Sequence, residues 1–132
     1  MADLSYDPPR SPQQVSDRLV ECLSKGDVDG ALSLYEAHSA FNNGRQKGVS
    51  FGLSQIRKSL EQFTVLNPTL VVSTSNVIET GEIALMNSHW ILKGTQPDGA
   101  PVEMGGHGSD VMRRQPDGSW KFLIDNAWAI EA

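Results

Sequence analysis

The sequence predicts an α+β domain in which three helices precede and cover an antiparallel sheet, and three observations carry that reading. Capped helical periodicity runs from Ser11 to about Phe63. From Thr69 onward the pattern changes to runs rich in Val, Ile, Thr and aromatics, punctuated by glycines. The tetrapeptide Gln-Pro-Asp-Gly occurs twice, ending at Gly99 and at Gly118. Helices segregated ahead of a sheet pack on one of its faces. A chain of 132 residues has room for one such core and no second domain.

Residues 1–10 read as a loose arm, and residues 11–132 as a single domain. In Ser11-Pro12-Gln13-Gln14, a capping hydroxyl precedes proline at the first helical position, with glutamine three residues on. Val15, Leu19, Cys22 and Leu23 then share a face, and Gly26 supplies the left-handed stop. Asp27 caps a second helix expected to run through Ala31, Leu32, Leu34 and Tyr35. A third begins near Ser50 or Ser54, aligns Leu53, Ile56, Leu60 and Phe63, and ends before Asn67-Pro68.

Each Gln-Pro-Asp-Gly reads as a hairpin turn. Proline suits the second turn position, aspartate the third, and glycine the left-handed residue after it. The flanking sequences differ, so an internal repeat is not implied. Pairing Gln96 with Ala100 and Gln115 with Ser119 fixes a register. One face then carries Leu85, Val111 and Leu123, next Asn87, Ser109 and Asp125, then His89, His107 and Ala127. The other carries Ala84, Met112 and Phe122, next Met86, Asp110 and Ile124, then Trp90, Gly106 and Trp128. A polar cluster beside apolar side chains has the composition of a ligand pocket, so the pocket is expected on the histidine face. The Trp and Met face suits packing against another subunit. A bulge at Gly105-Gly106-His107-Gly108 would shift the parity.

The composition, 39% hydrophobic and 20% charged, is that of a globular protein. A net charge of -5 with no clustered basic face argues against nucleic acid and anionic membrane surfaces as partners. Cys22 is the single cysteine, which excludes an intrachain disulfide and fits a reducing compartment. No signal-like start and no long apolar run occur, so a cytoplasmic location is expected.

The stretch Leu23-Ser24-Lys25-Gly26-Asp27-Val28-Asp29-Gly30-Ala31-Leu32-Ser33-Leu34-Tyr35 resembles the L-x-x-GD-x-DG-x-x-x-LY junction of the nuclear transport factor 2-like superfamily. Within it, the chain is most similar to SnoaL-like and ketosteroid isomerase-like proteins. Lys47-Gly48, Gly81-Glu82-Ile83-Ala84-Leu85 and Arg113-Arg114-Gln115-Pro116-Asp117-Gly118-Ser119-Trp120-Lys121 leading to Asp125 extend the resemblance over about residues 12–128. It implies a cone-shaped curved sheet with a deep pocket between sheet and helices, usually in a homodimer, and puts Asn87, His89 and Ile91 on the cavity wall. Ketosteroid isomerase uses an aspartate base and an oxyanion hole of tyrosine and protonated aspartate, a general example of pKa tuning. Here the tyrosine position is Leu19, the base position is Asn43, and the second aspartate falls at Ser109 or Asp110. Asparagine accepts no proton at neutral pH, so that chemistry does not transfer directly.

Asp125 is the first candidate for acid/base work, with His107 or His89 as partner; the alternative is a carboxylate that anchors local hydrogen bonds. Tyr35, Phe41 and Asn43 are expected at the pocket rim, wall and floor, with Leu85, Asn87, Ile91, Ser109, Val111 and Leu123 as further ligand-binding positions. Two histidines and a carboxylate match the donors of a facial triad, but at no known metal spacing, so neither metal nor cofactor is assigned. Three functions follow. The first is a binding protein for a polyketide-, steroid- or aromatic-like molecule. The second is an acid/base isomerase, cyclase or dehydratase. The third is a homodimerisation module without turnover.

Overall fold

A computed structural model describes residues 7–44 and 47–129. The helices are α1 (Pro12–Lys25), α2 (Val28–Leu32) and α3 (Gly52–Thr64). The strands are β1 (Tyr35–Asn42), β2 (Val49–Phe51), β3 (Thr69–Thr80), β4 (Ile83–Thr95), β5 (Pro101–Arg114) and β6 (Trp120–Asn126). They form one open six-stranded sheet in the order β2-β1-β6-β5-β4-β3. Every neighbouring pair is antiparallel except β1 and β6, so the sheet is mixed where an antiparallel one was expected.

Local chemistry sets the helix ends. Ser11 accepts from the Gln14 N–H at 3.2 Å, and Gly26 stops α1 at φ 71°. The Gln14 side chain accepts from the Arg10 N–H at 2.7 Å, one residue earlier than a capping box would place it. Residues 1–6 of the expected arm lie outside the described residues. Pro9 is held, its carbonyl accepting from the Trp120 N–H at 2.9 Å.

The second helix is a single turn, and Tyr35 opens a strand instead of closing a helix. Pairing with a strand distant in sequence overrides the helical pattern here: the Phe122 N–H donates to the Leu34 carbonyl at 2.8 Å, and the Ser39 hydroxyl donates to the Phe122 carbonyl.

Both Gln-Pro-Asp-Gly stretches are hairpin turns, with Gly99 at φ 94° and Gly118 at φ 85°. Their closing bonds match, Gln96 N–H to Ala100 carbonyl at 2.8 Å and Gln115 N–H to Ser119 carbonyl at 2.7 Å. The β4–β5 register runs unbroken from Ile83 opposite Arg113 to Thr95 opposite Pro101, with no bulge among the glycines at 105–108. Within the β4–β5–β6 meander the irregularity lies in β6. Met112 is opposite Phe122, but Val111 is opposite Ile124, so Leu123 is an extra residue on β6.

The helices cover the Trp and Met face. Ala84, Met86 and Met112 are fully buried there, with Trp90, Leu92 and Phe122 close behind. This reverses the expected assignment, and the Trp and Met face is the core, not a surface for another subunit. Burying that larger apolar area against helices gains about 25 cal/mol per Å². Burying the imidazoles and amides of the opposite face would cost unpaired polar groups. Val71, Ile91 and Ile124 remain exposed on the uncovered face.

This inversion gives a direct test. Met86→Ala should cost about 2–5 kcal/mol in urea unfolding, and Ile91→Ala less than about 1 kcal/mol. The opposite order would restore the histidine face as the interior.

Candidate functional site

Between the sheet's covered face and the helices lies a cavity of ≈ 80 Å³. Leu19, Val20 and Leu23 of α1 and Leu60 and Phe63 of α3 form its roof, and Trp90, Leu92 and Phe122 part of its floor. Glycine explains why space exists. Gly106 and Gly108 leave the inner face of β5 bare, so the Trp128 ring lies over Gly106, where an added Cβ would sit 3.4 Å from it. At Gly108 an added Cβ would come within 2.9 Å of the Ser88 hydroxyl.

The polar end of the cavity is a hydrogen-bonded chain of three side chains. The Tyr35 hydroxyl donates to Asp125 Oδ2 at 2.6 Å. Asp125 and Asp110 share a hydrogen bond between their carboxyl groups. Asp110 Oδ1 in turn accepts from the Asn126 N–H at 2.8 Å. Alternation from Phe122 would turn Asp125 outward; the extra residue at Leu123 turns it inward to meet Asp110.

Two carboxyl groups in hydrogen-bond contact inside an apolar cavity cannot both be charged. Burial, and then the charge of Asp125, push Asp110 well above the ordinary carboxyl range of about 3.8. Burial raises Asp125 too, opposed by the hydrogen bonds it accepts from Tyr35 and Asp110. Asp125 is therefore the anion of the pair, stabilised by two donors, and Asp110 is the neutral acid. Burial and the Asp125 carboxylate raise the Tyr35 hydroxyl as well, so it stays protonated and donates.

Of the expected site residues, Tyr35, Phe41 and Asp125 line the cavity. His89 and His107 do not; they face each other on the uncovered side, with ring centroids 5.0 Å apart. Leu85, Asn87, Ile91, Ser109 and Val111 share that side, and Leu123 is taken up by the bulge. The expected partnership of Asp125 with a histidine is thus replaced by one with Asp110, and no facial triad forms. Among the described residues, no group of three or more metal-ligating side chains occurs. Asn43 is absent from the lining, its amide donating to the Ser50 hydroxyl at 2.7 Å.

Asp110 is the residue the sequence left undecided between positions 109 and 110. Its neighbours in parity, Met112 and Met86, carried the available signal, because the more apolar face is the one that helices bury.

The raised carboxyl predicts a pH effect of definite sign. A group that holds its proton more tightly when folded contributes stability that is complete below the unfolded pKa and lost as pH rises through the folded one. Asp110→Asn keeps an acceptor for Asn126 and a donor for Asp125 but cannot ionise. Its melting temperature should gain on wild type as pH climbs from about 4 to about 8. A constant difference across that range would show that Asp110 is not held neutral.

No protein-family model matches the chain, and no curated protein matches it. Solved structures do. A nuclear transport factor 2-like superfamily protein from Salmonella enterica serovar Typhimurium superposes with a TM-score of 0.76 at 18% identity, covering 86% of this chain and 84% of its own. A ketosteroid isomerase-like protein from Erwinia carotovora atroseptica gives 0.75 at 14% identity, covering 86% and 88%. A protein from Catenulispora acidiphila, solved in complex with S-DNPA, gives 0.68 at 16% identity, covering 86% of each chain. The three helices, the open mixed sheet and the superpositions make this a nuclear transport factor 2-like fold.

Proposed function

We propose that the cavity binds a small, mostly apolar molecule that presents one hydroxyl- or carbonyl-type oxygen to the Asp110–Asp125 pair. The observation that carries this is a hydrogen-bonded pair of carboxyl groups, Asp110 and Asp125, at the end of a mostly apolar chamber. An apolar wall with a few convergent polar groups is the usual construction of a ligand site. The ligand complex of the Catenulispora protein is consistent with a fold that takes small molecules. Size narrows the class. The cavity, ≈ 80 Å³, is about half the roughly 150 Å³ cavity known to take benzene, so it suits a short chain as it stands and a single ring only with some outward shift of its walls. A steroid- or polyketide-sized molecule would require α1 and α3 to move apart.

The hydrogen-bonded carboxyl pair also favours a second reading, acid/base turnover. Asp125 can take a proton from a carbon next to a carbonyl, and Asp110 can give one to the substrate, leaving the pair's total unchanged. By the sequence resemblance, Leu19 and Asn43 fall where ketosteroid isomerase has its tyrosine and base, so the work would fall on this carboxyl pair.

Titration with phenol and with 2-cyclohexen-1-one, followed by NMR shifts, separates these readings. Binding to wild type should weaken at least about tenfold, or 1.4 kcal/mol, in Asp125→Asn. Equal affinity in both proteins would remove the carboxyl pair from the binding site. Turnover should appear as wild-type-dependent exchange of the ketone's α-protons in D₂O, lost in Asp125→Asn; exchange at the buffer rate would eliminate it.

A further inference from the structure

The geometry points to His89 and His107 as a chelating site for a divalent transition-metal ion on the uncovered face of the sheet. The two residues are directly opposed on β4 and β5, so the backbone ladder fixes their spacing. Both side chains are exposed, with ring centroids 5.0 Å apart and ring planes 62° apart. A metal bound at about 2.0–2.1 Å from an imidazole nitrogen lies about 3.2 Å from the ring centre. Two centres 5.0 Å apart then subtend about 103° at the ion, between square-planar and tetrahedral bites. Little rearrangement is needed beyond turning each ring about its own bonds.

Among the described residues, the neighbours on β3 and β5 leave this position open. Gly105 contributes no side chain beside His107, and Ser73 sits opposite His89 on β3. On the adjoining row, Asn87 and Ser109 are already joined, the Ser109 hydroxyl donating to Asn87 Oδ1 at 2.8 Å, and Asn87 donates on to Asn76 Oδ1 at 2.8 Å. Among the described residues of β4 and β5, the nearest charged ones on this face, Lys93 and Glu103, are two rows away. The two imidazoles supply half of a four-coordinate shell. Solvent, or a donor from another molecule, supplies the rest. Imidazole donors select Zn²⁺, Cu²⁺ or Ni²⁺ over the hard cations Mg²⁺ and Ca²⁺. The site lies across the sheet from the Asp110–Asp125 cavity and is independent of it.

The test is isothermal titration of chelator-treated protein with Zn²⁺, Ni²⁺ and Mg²⁺. Zn²⁺ and Ni²⁺ should bind and Mg²⁺ should not. Because both donors grip one ion, His89→Asn and His107→Asn should each lose at least about a hundredfold, nearly as much as the double variant. His38→Asn, which alters the third histidine on β1, should bind as wild type does. Ni²⁺ should also broaden backbone NMR signals of the wild-type protein around His89 and His107 first, a readout that needs no variant. No binding, full affinity in either single variant, loss in His38→Asn, or broadening centred elsewhere would each overturn the site.

Discussion

The extra residue in β6 is the constraint on which the cavity depends. Without it, strand alternation would turn Asp125 toward the uncovered face, where a carboxylate needs no partner. With it, Asp125 enters the interior between Tyr35 and Asp110. The interior then holds a charge that water cannot solvate, and hydrogen bonds from the tyrosine and the neutral acid offset that cost. Tyr35 itself stacks on Phe122 with centroids 4.9 Å apart, so the donor is held by the same strand that carries its acceptor. One irregularity thus sets the direction of a carboxylate, and the surrounding residues make that direction tolerable.

The apolar part of the site follows from the same sheet by a different route. Large side chains on β4 and β6 pack against α1 and α3, while glycines on β5 withhold side chains from the middle of the floor. Trp128 covers one glycine and meets Trp90 edge-on at 4.9 Å, and the Trp90 ring N–H is satisfied by the Ala127 carbonyl at 2.7 Å. The Trp90 donor at this end of the chamber is thereby taken up. That leaves the Asp110–Asp125 pair as the charged polar feature an apolar molecule would meet.

Features encoded locally were legible in the sequence. Ser11, Gly26 and the two Gln-Pro-Asp-Gly turns act through neighbours a few residues away, and they gave α1 and the β4–β5 register to the residue. Features decided at a distance were not. Tyr-Glu-Ala-His-Ser-Ala-Phe-Asn has no strand signature, and β1 exists because β6 pairs with it. The bulge at Leu123 carries no glycine to announce it, so the row containing Asp125 could not be placed. The identity of the inner face was within reach, because Met86, Trp90, Met112 and Phe122 outweigh Leu85, Val111 and Leu123 in apolar bulk.

Inserting β6 between β1 and β5 has a consequence for assembly. The sheet joins segments far apart in sequence, and Tyr35 meets Asp125 across a separation of 90 residues. During synthesis β1 and β5 exist with open edges until the last strand has emerged, and loop closure of that length is slow and entropically costly. The carboxyl pair is therefore among the last parts to form, and partly folded chains present the two unpaired edges that invite strand exchange between molecules.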